Sequence, residues 1–290
     1  MIQVRFVGRQ RQLAHLRSSL AHAGRGRIIC ITAGPGMGKS WLVREFAHQA
    51  VALAARSALI DFGTDQAYDV LTLVRQLRDA LGAEAFAPLT ATINTLTAPR
   101  IATSAARQQQ ITRADATPAA TTVKDKLFVV QTDNPLLLQA IEAQVTHAFF
   151  VCLAGLATQG PLLLLFDSYE QCSHERTSWV PSLADRWIRG ELLNRIRSGT
   201  LPNTVVLLAG RQLPPFDAGW AAVLDELPLE GFAPQEVAAY LRGTCGVTQL
   251  SDHELQTIYE ATQGHPQLLG LIGDSLTQAL SQGVDWSYGD

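Results

Sequence analysis

The chain has 290 residues, 47% hydrophobic and 17% charged, with a net charge of −3. That length and apolar content suit one large domain plus a small one around a sizeable core, and the mild acidity excludes a global basic field drawing it to nucleic acid or anionic lipid. Cys30, Cys152, Cys172 and Cys245 lie far apart with no C-x-x-C pair, which excludes the usual zinc spacing and fits reduced thiols in a cytoplasmic protein.

The N-terminus has no signal-length apolar core. Residues 9–22 read as a helix, with Leu13, Leu16 and Leu20 at spacings of three and four. "RIICIT" (27–32) reads as a buried strand that ends in a glycine turn, and an Ala-rich helix is expected over 39–55. Strand "SALIDF" (57–62) follows, then an amphipathic helix over 68–81 with Val70, Leu73, Val74, Leu77 and Leu81 on one face. Residues 90–122 hold nine Thr and nine Ala without a clean period, so 83–134 reads as a variable, poorly ordered insertion. A helix over 134–157 comes next, then strand "PLLLLFD" (161–167). Its "PLLLLF" is read as the strongest apolar run, far shorter than the ~20 residues that span a bilayer, so no membrane partner is expected. A helix is predicted over 175–198 that buries Trp179, Leu183, Trp187, Ile188, Leu192 and Ile196. Strand "TVVLLAG" (204–210) and a fifth strand within 225–232 complete a parallel α/β sheet flanked by helices. From 233 the pattern is helical only, and the second segment opens with a Ser251/Glu254 capping box. The predicted organisation is a sheet domain over 1–232 and a small helical domain over 233–290.

"AGPGMGKSW" lies between the first strand and the second helix and fits the phosphate-loop spacing, Ala33 to Gly38-Lys39-Ser40. Glycines there let successive N–H groups form an anion nest at a helix N-terminus. The cradle comprises Gly34, Pro35, Gly36, Met37, Gly38, Lys39, Ser40 and Trp41. Lys39 is expected to reach the β- and γ-phosphates and Ser40 to ligate Mg²⁺. Asp167 ends an apolar strand, where an acid has little packing reason to be, and is the second metal candidate. Glu170 is placed to orient an attacking water, and Arg211, just past strand 204–210, to sense the γ-phosphate.

Two weaker motifs flank these: Val7-Gly8-Arg9 ahead of the first helix and Gly264-His265-Pro266 opening a late one. In this order the five motifs resemble the STAND class of signal-transduction ATPases, relatives of AAA+ proteins. The resemblance implies a P-loop NTPase fold with a helical domain that closes on ATP or ADP. It also implies Phe6, Val7 and Gly8 at the adenine with Arg9 nearby, Pro266 packed on the base and His265 close by. Ser168 stands where many members carry a second acid, which predicts slow hydrolysis and a switch that self-associates when ATP-bound. Neither sensor nor effector is legible. Two other readings use the same loop. A replication-initiator-like ATPase would act on DNA, and the charge speaks against a nucleic-acid partner. A small-molecule kinase would need an Arg-rich lid, for which "DRWIRGELLNRIR" (185–197) is the only comparable cluster. Adenine over guanine follows from the resemblance alone.

Overall fold

The computed structural model describes residues 8–22, 24–64, 69–97, 135–175 and 177–282. In chain order they form α1 (Gln10–Ala21), β1 (Arg27–Thr32), α2 (Lys39–Ala52), β2 (Arg56–Asp61), α3 (Val70–Leu81), a 3₁₀ turn (Ala83–Phe86), α4 (Ala87–Thr97), α5 (Pro135–Gln159) and β3 (Leu162–Asp167). A second 3₁₀ turn (Tyr169–Cys172) precedes α6 (Leu183–Trp187), which runs through a π-helical turn (Ile188–Leu193) into α7 (Asn194–Arg197). Then come β4 (Thr204–Gly210), a 3₁₀ turn (Ala218–Trp220), β5 (Leu224–Glu226), α8 (Pro234–Ala238) with a π-helical turn (Ala239–Thr244), α9 (Asp252–Thr262) and α10 (Pro266–Ser281).

The five strands are all parallel, in the order β2-β3-β4-β1-β5. A parallel sheet is covered on both faces, so its strands read as continuous apolar runs rather than alternating ones. β3 and β4 are buried at every position. Leu162, Leu164 and Phe166 of β3 join Val206 and Leu208 under α3, α5 and the α6–α7 helix. Leu163, Leu165, Val205, Leu207 and Ala209 face the other way, against Leu13 and Leu16 of α1 and Leu42, Val43 and Phe46 of α2. Each fully buried Leu or Phe contributes about 1.5–3 kcal/mol over an exposed one, so these two layers dominate the fold's stability. Because the strands are parallel, their C-terminal ends share one edge, where Thr32 lies beside Gly210 and Asp61 beside Asp167. β4 is a neighbour of both β1 and β3, so the strand that leads to Arg211 lies between those that carry the phosphate loop and Asp167.

The helices after β5 have a core of their own in Val237, Leu241, Leu255 and Leu269. The Ser251 hydroxyl accepts the Glu254 N–H at 3.3 Å while Glu254 accepts the Ser251 N–H at 2.7 Å, closing the capping box.

Three sequence expectations need correction. Residues 83–97, read as the start of a poorly ordered insertion, are helical, and Phe86, Leu89 and Ile93 are buried against α5; residues 98–134 lie outside the described residues. The helix expected from 175 begins only at Leu183. Pro181 instead bridges to Ser173, and Ser182 caps the helix by accepting the Asp185 N–H at 3.2 Å. Leu183, expected in the core, is therefore on the first exposed turn and is 59% exposed, and Trp179 is only half-buried. Finally, the longest apolar stretch is in α5, where Leu136–Gln159 is long and apolar enough by composition to cross a membrane. In the fold, its Val145, Phe149 and Leu153 face packs against α3 and α4.

Candidate functional site

The phosphate loop leaves β1 and turns into α2 through two residues of left-handed backbone, Gly36 (φ 72°) and Gly38 (φ 82°). A side chain at either would be strained. Lys39, almost fully buried, folds back over the loop and donates from Nζ to the carbonyls of Ala33 and Gly34, both at 2.7 Å. Burial lowers its pKa and nearby Arg211 adds to that, while Glu170 and Asp167 pull the other way. The ammonium is thus held over the loop by neutral acceptors that an anion can replace.

Ser40, one residue on, hydrogen-bonds the buried Asp167 carboxylate at the end of β3. Asp167 Oδ1 also accepts the Ser168 N–H at 2.8 Å. Burial pushes the Asp167 pKa up, and neighbouring Asp61 adds a little. A hydroxyl and a carboxylate that meet at the foot of an anion nest fit Mg²⁺, which takes one or two protein oxygens and completes its shell with phosphate and water.

After Asp167 the chain turns sharply, with Ser168 left-handed (φ 54°). The turn brings Glu170 beside β4. Its Oε2 accepts the Arg211 N–H at 3.0 Å, and its Oε1 lies 3.5 Å from Arg211 Nε. A Cβ on Gly210 would lie 2.9 Å from Glu170 Oε2, so the glycine makes room for this pairing. Sequence reading assigned Glu170 and Arg211 separate tasks; in the fold they hold each other. Arg211 is 65% exposed and Glu170 19%, so the arginine is the partner with freedom to leave.

The opposite wall comes from the helical part. Gln267 N–H, in the first turn of α10, donates to Gly36 O at 3.2 Å. A Cβ on Gly36 would meet the Gln267 side chain and sit 2.6 Å from His265 Cε1. His265 Nδ1 is buried there without a hydrogen-bond partner. Arg9 is buried too. Its guanidinium donates to Glu230 O at 2.5 Å and Met37 O at 3.1 Å and stacks on Phe232 at 4.8 Å. Expected near the base, Arg9 spends its donors on main-chain carbonyls and bolts the phosphate loop to the segment that leads into α8. Gly8 packs toward Glu236, whose Oε1 accepts the Arg9 N–H at 3.1 Å. Phe6 and Val7 lie outside the described residues.

Between the walls is a cavity of about 650 Å³. It brings together Pro35 through Trp41, Asp167, Glu170, Arg211, Arg9 and Pro266 of the expected residues; Gly34, Gly8 and His265 are not part of its lining. Sequence reading missed Phe232, Tyr240, Gln267, Leu271 and Asp274. Pro266, Gln267, Gly270, Leu271 and Asp274 are one helical face, and that spacing was readable once Pro266 was placed on the ligand. Tyr240 lies in the π-helical turn Ala239–Thr244, which leaves no comparable sequence signal. Three of the four arginines of 185–197 are engaged within the sheet part rather than held over the cleft: Arg189 pairs with Asp185, Arg195 stacks on Phe150 and Arg197 on Trp220, while Arg186 is exposed and does not line the cavity.

A family model described as AAA ATPase domain matches residues 5–198. A similar solved structure is that of the Aeropyrum pernix ORC2 protein in ADPNP–ADP complexes. It is 13% identical, with 98% of this chain and 66% of that chain covered and a TM-score of 0.49, so this chain spans just under two thirds of its length. No curated protein matches in sequence.

Proposed function

The chain belongs to the AAA ATPase domain family, and on that premise we propose that this nucleotide-dependent ATPase works as a slow signal-transduction switch of the STAND type. ADP holds the sheet and helical parts closed at rest, and ATP favours an assembly-competent arrangement. One observation supports the reading above others: both parts of the chain touch the phosphate loop, through the Gln267 N–H on Gly36 O and the Arg9 guanidinium on Met37 O. A change in what the loop holds is therefore felt by α10 directly.

In this reading Lys39 leaves the Ala33 and Gly34 carbonyls for the β- and γ-phosphates. Ser40 and Asp167 hold Mg²⁺, which when bound neutralises charge on the phosphate oxygens. Arg211 gives up Glu170 for the γ-phosphate, where a guanidinium can make two parallel hydrogen bonds. Glu170, released, orients the attacking water. Trp41, Pro266 and the α10 face enclose the nucleoside. The exchange of Arg211 between Glu170 and phosphate makes the ATP state differ from the ADP state, and Ser168 in place of a second acid keeps hydrolysis slow.

The test is to identify the nucleotide that co-purifies, then follow turnover and self-association with ATP and with ADP in the presence of Mg²⁺. Retained ADP, slow turnover and ATP-dependent association support the switch. Rapid multiple turnover by a monomer, or indifference to adenine nucleotides, ends it.

A further inference from the structure

Asp185 is completely buried, the most enclosed acid among the described residues, and none of the roles above uses it. Three side chains donate to it. Tyr169 Oη reaches Oδ1 at 3.0 Å, Trp179 Nε1 reaches Oδ2 at 3.1 Å, and Arg189 brings Nε and Nη2 to Oδ2 at 2.9 and 2.8 Å. The rings of Tyr169 and Trp179 stack with centroids 5.9 Å apart and planes within 8°. Tyr169 is fully buried and sits between the left-handed Ser168 and Glu170.

We propose that Asp185 is a positioning residue for hydrolysis, which anchors Tyr169 and so fixes the turn that carries Glu170 to its place beside β4. This rests on the reading of Glu170 as the group that orients water. A left-handed serine persists only where its surroundings over-determine it, and here the anchors lie on both sides. Asp167 accepts the Ser168 N–H before the turn, and Asp185 holds the Tyr169 phenol after it. An apolar cluster would fill the same space without the desolvation penalty of a buried charge. What the carboxylate adds is direction, since three donors converge on it from fixed angles. The π-helical turn just after α6 lies within one turn of Asp185, and such turns within helices are frequent at functional sites.

The full chain carries the test, with ATP turnover, ATP KM and ADP affinity measured for four variants: Glu170→Gln, Tyr169→Phe, Asp185→Asn and the double variant Tyr169→Phe with Glu170→Gln. Glu170→Gln is expected to lower kcat about a hundredfold, as loss of a positioned acid–base group does. Tyr169→Phe, which keeps the ring stack, is expected to lower kcat roughly tenfold, the scale of losing a group that orients a functional side chain. KM and ADP affinity should stay within about twofold. The decisive result is the double variant. If Tyr169 acts through Glu170, it is no slower than Glu170→Gln alone. Asp185→Asn should follow Tyr169→Phe; should it fail to fold, Tyr169→Phe still decides. Unchanged kcat in Tyr169→Phe overturns the proposal, as does a tenfold loss repeated in full on the Glu170→Gln background. Wild-type turnover in Glu170→Gln would instead overturn the role of Glu170, and this inference with it.

Discussion

The sheet wall of the cleft is charged and already paired. Lys39 rests on two carbonyls, Ser40 on Asp167, and Glu170 on Arg211. The helical wall facing it is mostly apolar, Phe232, Tyr240, Pro266, Gly270 and Leu271, with Gln267 and a single carboxylate, Asp274, and Trp41 on α2 is 56% exposed. The difference separates two kinds of work. On the sheet wall a ligand must displace partners that the groups already have, so affinity there is a difference between bonds lost and bonds gained. On the helical wall little is displaced, and binding is the burial of apolar area. Chemical state is thus read on one side and bulk on the other, with Gln267 and Arg9 as the joints between them.

The largest expected effect breaks the charged wall outright. Lys39→Ala removes the ammonium that lies over the nest and should weaken ATP and ADP alike, by about a hundredfold, the scale of a charge-assisted bond. Titration calorimetry checks it, and retained affinity for either nucleotide would remove Lys39 from the phosphates. Arg211→Ala should act more selectively. It spares ADP and weakens ATP roughly tenfold, because the guanidinium has another partner in Glu170 until a γ-phosphate arrives. Equal losses for both nucleotides would assign Arg211 a purely structural part.

A pair of glycine variants sharpens the comparison at the joint. Gly36→Ala and Gly38→Ala share the left-handed penalty of about 1–2 kcal/mol. A methyl at Gly36 also strikes Gln267 and His265, whereas one at Gly38 meets nothing within 4 Å. Thermal unfolding without nucleotide should therefore show Gly36→Ala as the less stable, and the excess measures how firmly α10 grips the loop. Equal melting points would mean that the helical wall contributes nothing to holding the loop.

The two walls also differed in how much of them the sequence disclosed. The charged wall was legible because its chemistry dictates spacing. A nest needs glycines at fixed offsets from a lysine, and an acid at the tip of "LLLLFD" is out of place as packing. The sheet was legible for the same kind of reason, since strands buried on both faces read as unbroken apolar runs. The pairing of Glu170 with Arg211 was not, because it depends on the left-handed turn at Ser168 that swings Glu170 toward β4, a backbone feature with no mark in the sequence. Arg9 lines the cavity, but its contacts with Glu230 O and Met37 O were not legible, since they appear only once the segment near residue 230 returns to the loop. Residues 83–97 were misread for a compositional reason. Thr and Ala crowd the stretch from 90 on, but three buried side chains, Phe86, Leu89 and Ile93, at spacings of three and four were enough to fold its start.

The smallest effect expected is a proton count, and it tests the metal site without touching the phosphates' own contacts. Burial raises the Asp167 pKa, and the hydrogen bonds from Ser40 and Ser168 offset only part of that rise. A carboxyl with a raised folded pKa holds its proton more tightly in the native state than in the unfolded one. Its contribution to stability is therefore complete below the unfolded value, near ~3.9, and is lost as pH climbs through the folded one. Mg²⁺ needs the carboxylate, so in the window just above ~3.9 the metal must expel that proton, and the Mg²⁺-dependent part of ATP affinity should fall as the solution is acidified. Calorimetry in two buffers of different ionisation heat counts the protons released. ATP's terminal phosphate titrates near pH ~6 and releases its own, so the informative quantity is the difference between wild type and Asp167→Asn. The wild type should release up to one proton more, and only at acidic pH. The same release from both proteins across that window would mean that the metal is held without Asp167.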